Sequence, residues 1–161
     1  MNLDEYNISV DQHADGMFRF ILKSIRDEDK ARDIVQDSFE KLWRNVENVN
    51  YLKVKSYLYT TAYHTMIDLI RREKRKEDFE NVDVRDYSHS EHYSDLSEIL
   101  DEALKRLSDV QRSVILLRDY EGYSYTEIAQ ITDLTESQVK VYIYRARMHL
   151  KNYIGSIESI V

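Results

Sequence analysis

Residues 124–150 read SYTEIAQITDLTESQVKVYIYRARMHL, and this stretch decides the fold. Ser124 with Glu127 and Thr135 with Gln138 both fit the capping box S/T-x-x-E/Q, in which a hydroxyl and the side chain three residues on satisfy orphaned backbone N–H groups. Each box precedes an apolar-periodic run, which predicts helices over about 125–131 and 136–153. Ile128 and Ala129 face inward on the first, Ala129 being small enough for close crossing, and Asp133 and Leu134 fall at the turn. On the second, Val139, Ile143, Ala146 and Leu150 make one buried stripe. The pair reads as a helix-turn-helix. Its outward face offers Ser137, Gln138, Lys140, Val141, Tyr142, Tyr144, Arg145 and Arg147, side chains suited to base edges and phosphates in a major groove. Pattern alone leaves a second reading open, in which short capped helices simply pack and the charged face is solvated.

Upstream, Ser108 with Gln111 forms a third box and Gly122 suits a left-handed helix end. Leu100, Ala103, Leu104 and Leu107 mark one further helix, and Val110, Val114, Leu117 and Arg118 another. Three more stripes lie nearer the N-terminus: Met17 to Ile25, stopping at the charged turn Arg26–Asp29; Ile34, Val35, Phe39, Leu42, Trp43 and Val46; and Val54, Leu58, Ala62, Met66, Leu69 and Ile70, ending in a basic run. Strands are not expected. The 161 residues hold three Gly and no Pro, where average usage of ~7% and ~5% would supply about 11 and 8 for the tight turns of a sheet protein.

With no Cys, disulfide scaffolds, thiol nucleophiles and Cys-based zinc sites are excluded. No apolar run approaches the ~18 residues of a membrane helix, and the acidic Met1–Asp15 segment is unlike a signal peptide, so a cytoplasmic protein without membrane insertion is expected. The net charge of -7 is unevenly placed: residues 78–104 carry nine acids against one base, whereas residues 51–77 carry seven bases against three acids. Residues 78–95 lack a helical period and are expected to be a flexible acidic linker. The fold class is therefore all-α, with two small helical domains, 1–77 and 96–161, joined by that linker. His89 and His92 share a ligand-like spacing without accompanying carboxylate or Cys ligands in an ordered frame, so no metal and no cofactor is expected.

The stretch Leu104–Leu150 resembles the fourth region of bacterial sigma factors, through Glu127–Ala129, Val139–Lys140 and Arg145–Arg147. Independently, Asp27–Val46 resembles their second region at Asp33, Gln36, Asp37, Phe39, Leu42 and Trp43, and Ser56–Arg72 resembles the adjoining part that melts promoters. With only a linker between the two sets, the chain is identified as a member of the extracytoplasmic-function (ECF) sigma factors. That resemblance implies a promoter-specificity subunit without chemistry of its own. Its expected partners are core RNA polymerase, promoter DNA and an anti-sigma factor, often membrane-anchored.

By the same resemblance, Asp33, Gln36, Asp37, Glu40, Lys41 and Arg44 would contact polymerase, while Phe39 and Trp43 lie toward the bundle. Tyr57, Tyr63, His64, Arg71, Arg72, Lys74, Arg75 and Lys76 would read and open the -10 element; Tyr59 suits either this role or packing. Ser137, Gln138, Lys140, Val141, Tyr142, Tyr144 and Arg145 would read the -35 element. The acidic linker would thread the polymerase or serve as a soluble spacer. The chain departs from the family pattern at Tyr63-His64, where Arg-Asn is usual, at Ser108 for Pro, at Asp133 for the turn Gly, and at Val141 and Tyr142 for Ser and Arg. Different promoter preferences follow. A stand-alone helix-turn-helix regulator is the alternative, but it leaves the Asp33–Trp43 pattern unexplained. A DNA-processing enzyme would need clustered carboxylates or an activated nucleophile, and the sequence offers no such spacing.

Overall fold

The computed structural model describes residues 1–80 and 96–158. Three helices, α1 (Leu3–Ile25), α2 (Glu28–Arg44) and α3 (Val54–Glu80), pack mutually, with a 3-10 turn at Tyr51–Lys53 leading into α3. Four follow: α4 (Leu96–Lys105), α5 (Asp109–Ile115), α6 (Tyr125–Thr132) and α7 (Glu136–Glu158). A π-helical turn, Leu116–Tyr120, continues α5. Among the described residues there is no strand. The acidic-linker expectation meets the structure at one end, where α3 runs on through residues 78–80; residues 81–95 and the His89/His92 pair lie outside the described residues.

Met17, Phe20, Ile21, Leu42, Leu58 and Met66 are fully buried in the first bundle, as the stripes require. Leu104, Val114, Leu117, Ile128, Ile143 and Ala146 do the same in the second. Each large apolar side chain so buried contributes about 1.5–3 kcal/mol against chain entropy. Capping sets the boundaries. Ser124 and Glu127 bond reciprocally at 3.1 Å each, and Thr135 and Gln138 do so at 3.1 and 2.9 Å. Ser108 accepts from the Gln111 N–H at 3.2 Å. Asp133 takes the left-handed conformation (φ 58°) and Gly122 has φ 77°. Asp tolerates that region better than most residues, which accounts for a turn without Gly.

Two features depart from expectation. Helix α1 starts at Leu3, not near Met17, because Asn2 and Glu5 form a full capping box at 2.8 and 3.0 Å. Trp43, expected toward the bundle, is 49% exposed and meets Tyr6 edge-to-face (centroids 5.0 Å apart), whereas Phe39 is buried.

The two bundles pack against each other. Helix α6 lies on α3, and α5 with the π turn lies on α1. The π turn closes through the Glu121 N–H to the Leu116 carbonyl at 3.0 Å, one residue wider than an α-helical bond. It leaves the Glu121 side chain facing α1, only 3% exposed. There the carboxylate accepts two bonds from Arg19 (2.8 and 3.0 Å) and one from the Tyr59 hydroxyl (3.2 Å). Lys74 with Asp109 (2.7 Å) and Lys55 with Glu127 (3.8 Å) add ion pairs across the same boundary.

Candidate nucleic-acid interface

Helix α7 sorts its residues by the 3.6 period. Val139, Ile143 and Ala146 are buried against α4, α5 and α6, while Ser137, Gln138, Lys140, Val141, Tyr144, Arg145 and Met148 are exposed. Tyr142 is half-buried and packs against the core instead of standing fully outward. Gln138 has its carboxamide oxygen engaged by the Thr135 N–H. Arg147 is drawn aside by Asp119 at 2.6 and 3.1 Å. Lys140 lies 5.5 Å from the Tyr125 ring centroid, so its ammonium sits beside the α6 N-terminus. The resulting face carries two cations flanking apolar side chains, the composition a major groove accepts.

A second charged surface lies along the end of α3. Asp68, Arg71, Arg72, Lys74 and Arg75 line an open groove of about 810 Å³. Lys76 is exposed beside them. Closely spaced guanidinium and ammonium groups of this kind follow a phosphate backbone. His64 is exposed, and Tyr57 is half-buried with its hydroxyl in contact with the Asn45 amide and the Lys41 carbonyl.

Tyr63 does not face solvent as expected. It is 5% exposed, edge-on to His64, and burial pushes its hydroxyl pKa up. Tyr59 is packed: 2% exposed, between Phe20 (centroids 6.0 Å apart) and Tyr123 (5.0 Å), its ionisation suppressed by burial and then by neighbouring Tyr123 and Glu121. For Tyr59 the second bundle contributes to this burial through Tyr123 and Glu121, just ahead of α6.

On α2, Asp33, Gln36, Glu40 and Arg44 are exposed on one side with Trp43, and Asp37 pairs with Lys41 at 3.0 Å. Gln36 reaches Glu40 at 3.4 Å and Lys41 reaches Thr65 at 3.5 Å. Trp43 is the member of this face that stripe counting misplaced. An exposed Trp framed by charged side chains has the make-up of a protein-docking surface. Among the described residues, no group of three or more His, Cys, Asp or Glu side chains is gathered as a metal site, and no helix is long and apolar enough to cross a membrane.

Comparison with known proteins matches residues 10–76 to sigma-70 region 2 and residues 97–150 to sigma-70 region 4. RNA polymerase sigma factor SigV of Bacillus subtilis is 34% identical over 140 residues, spanning 85% of this chain and 83% of its own. ECF RNA polymerase sigma factor SigE of Mycolicibacterium smegmatis is 28% identical over 158 residues, 93% of this chain and 62% of that one. In fold, the chain is similar to the sigma factor RpoE of Bartonella quintana, solved in complex with the anti-sigma factor NepR. The TM-score is 0.76 at 24% identity, over 95% of this chain and 98% of that one.

Proposed function

The chain belongs to the ECF sigma factors of RNA polymerase, and we propose that its three exposed surfaces divide the work of promoter-specific initiation. The α2 face, Asp33, Gln36, Asp37, Glu40, Lys41 and Arg44 with Trp43 added, docks core polymerase. The α3 surface, with Tyr57, His64 and the basic groove from Arg71 to Lys76, engages the -10 element and its opened strand. The α7 face reads -35 duplex through Ser137, Lys140, Val141, Tyr144 and Arg145. The division of domains is 1–77 for polymerase and -10 contacts and 96–161 for the -35 contact.

The observation that carries this reading is the outer face of α7, where Lys140, Val141, Tyr144 and Arg145 stay exposed opposite a fully buried stripe. The protein performs no covalent chemistry: it supplies binding energy that positions polymerase and offsets the unstacking of promoter bases. It acts in the cytoplasm with core polymerase, and an anti-sigma factor restrains it, a reading supported by the similar fold of RpoE in its complex with NepR.

Tyr63, 5% exposed in this arrangement, meets a base only after it is uncovered. Two variants test the division of surfaces. Glu40→Arg should weaken core-polymerase binding at least tenfold and leave duplex binding intact; Arg145→Ala should do the reverse. Equal loss of both activities in either variant would contradict the assignment.

A further inference from the structure

The exposed face of α7 is not uniformly polar. Val141 is 45% exposed, Tyr144 66% and Met148 38%, among the few large apolar side chains in the described chain that stand so far out. At about 100° per residue, Ser137, Val141, Tyr144 and Met148 fall within about 60° of one another, opposite the buried Val139, Ile143 and Ala146. Lys140 and Arg145 lie roughly 60–80° to either side of that line. An apolar ridge is thus framed by a cation on each flank, and the ridge forms the crest of the helix.

This crest would be costly to leave wet, and its flanking charges indicate what covers it. Two cations held on either side of a helix match the two phosphate strands bordering a major groove. Between those strands, the one apolar group a base edge displays is the 5-methyl of thymine. Ser137, toward the start of the helix, supplies the polar contact that either kind of base pair accepts. Val141 is β-branched and held near one rotamer on a helix, so its two methyl groups present a fixed apolar surface with little entropy to lose. Tyr144, one turn on, extends that surface.

We propose that Val141 is a specificity-determining residue that selects thymine in the -35 duplex by packing against its 5-methyl group, with Tyr144 closing the contact against water. The proposal rests on the assignment of α7 to the -35 element, and the experiment separates failure of one from failure of the other.

The full chain is used to enrich duplexes from a library with a randomised central segment, and binding is measured on the enriched duplex. Each dT is then replaced in turn by dU, which removes only the methyl group. For the native chain, at least one dT→dU replacement should weaken binding about fourfold, the worth of burying one methyl-sized apolar group. Val141→Ser should bind dT and dU duplexes equally, and its unfolding transition, recorded alongside, should stay unchanged because the side chain is exposed.

Enrichment of a duplex whose binding is indifferent to every dT→dU replacement overturns the thymine proposal while leaving the -35 assignment standing. Persistence of the methyl preference in Val141→Ser overturns it in the same way. Failure to enrich any duplex overturns the assignment itself and the proposal with it. If Val141→Ser and Tyr144→Ala change only self-association in sedimentation, the crest is a protein-binding surface and the proposal falls.

Discussion

Replacing Gly16 with Ala sets two effects of opposite sign against each other. Gly16 lies inside α1, where Ala is favoured over Gly by about 1 kcal/mol. An added Cβ would however sit 2.6 Å from the Tyr59 hydroxyl oxygen and 3.2 Å from Glu121 Oε1. The first distance is well inside carbon–oxygen contact. The Tyr59 ring is wedged between Phe20 and Tyr123 and 2% exposed, so its hydroxyl cannot swing clear without moving the ring. Overpacking of this kind costs about 1–3 kcal/mol. Loss of the Tyr59–Glu121 bond adds about 1.5–3 kcal/mol, a value for a bond to a charged group that half-exposure of Arg19 does not reduce.

The clash with Tyr59 falls between α1 and α3 inside the first bundle, and the lost Tyr59–Glu121 bond falls between the bundles, so the two costs separate experimentally. With Cys absent from the chain, one label can be placed on each bundle at exposed Glu47→Cys and Lys151→Cys for energy transfer. Gly16→Ala should shift the population from closed to separated by on the order of tenfold or more, since each 1.4 kcal/mol is tenfold. The unfolding transition of the first bundle should fall, because overpacking of about 1–3 kcal/mol between α1 and α3 outweighs the gain of about 1 kcal/mol in helix propensity. A variant that stays closed and gains the full helix-propensity increment would refute this reasoning, because the Glu121 site would then have room to spare.

Further outcomes follow from the same contacts. Arg112, 12% exposed, donates to the carbonyls of Leu104 (2.9 Å), Lys105 (3.3 Å), Leu107 (2.9 Å) and Ser24 (3.3 Å), capping the end of α4 and reaching α1. Arg112→Met keeps the apolar stem but strips those acceptors, and should lower stability in urea by about 2–4 kcal/mol; a change below about 0.5 kcal/mol would contradict the role. At Asp109, burial raises the carboxyl pKa, but Lys74 and Arg112 more than reverse this and hold it below its ordinary 3.8. Because the folded value is depressed, its stabilisation is present above pH 3.8 and is lost as pH falls through the lowered value. Asp109→Asn should therefore flatten the acid limb of the stability curve relative to the native chain, and superimposable curves would remove Asp109 from the acid response.

How far the sequence could be read varies with the reach of the interaction. Helices α6 and α7 were legible because their caps lie within three residues and their stripes within one helix, as Ser124–Glu127 and Val139–Ala146 show. The first half of α1 was not, because its cap uses Asn2, outside the Ser/Thr template, and its surface is acidic. Widening the template to Asn would have found it. Trp43 fits the α2 stripe in spacing, yet a helix stripe is wider than the surface its neighbours cover, and Trp43 falls at the margin. The sequence left Tyr59 open between packing and DNA contact, and nothing local marked the burial of Tyr63. The Tyr59 site is completed by Glu121, 62 residues from Tyr59 and 102 from Arg19, aimed by a π turn that no periodicity announces.

The central claim is that this chain gives core polymerase its start sites. Purified chain added to sigma-free core polymerase on genomic fragments should yield transcripts from a limited set of new starts, sharing upstream elements at -35 and -10. The yield of these transcripts should fall with Glu40→Arg, which weakens docking. Core enzyme that neither binds the chain nor acquires a new start in its presence would contradict the claim.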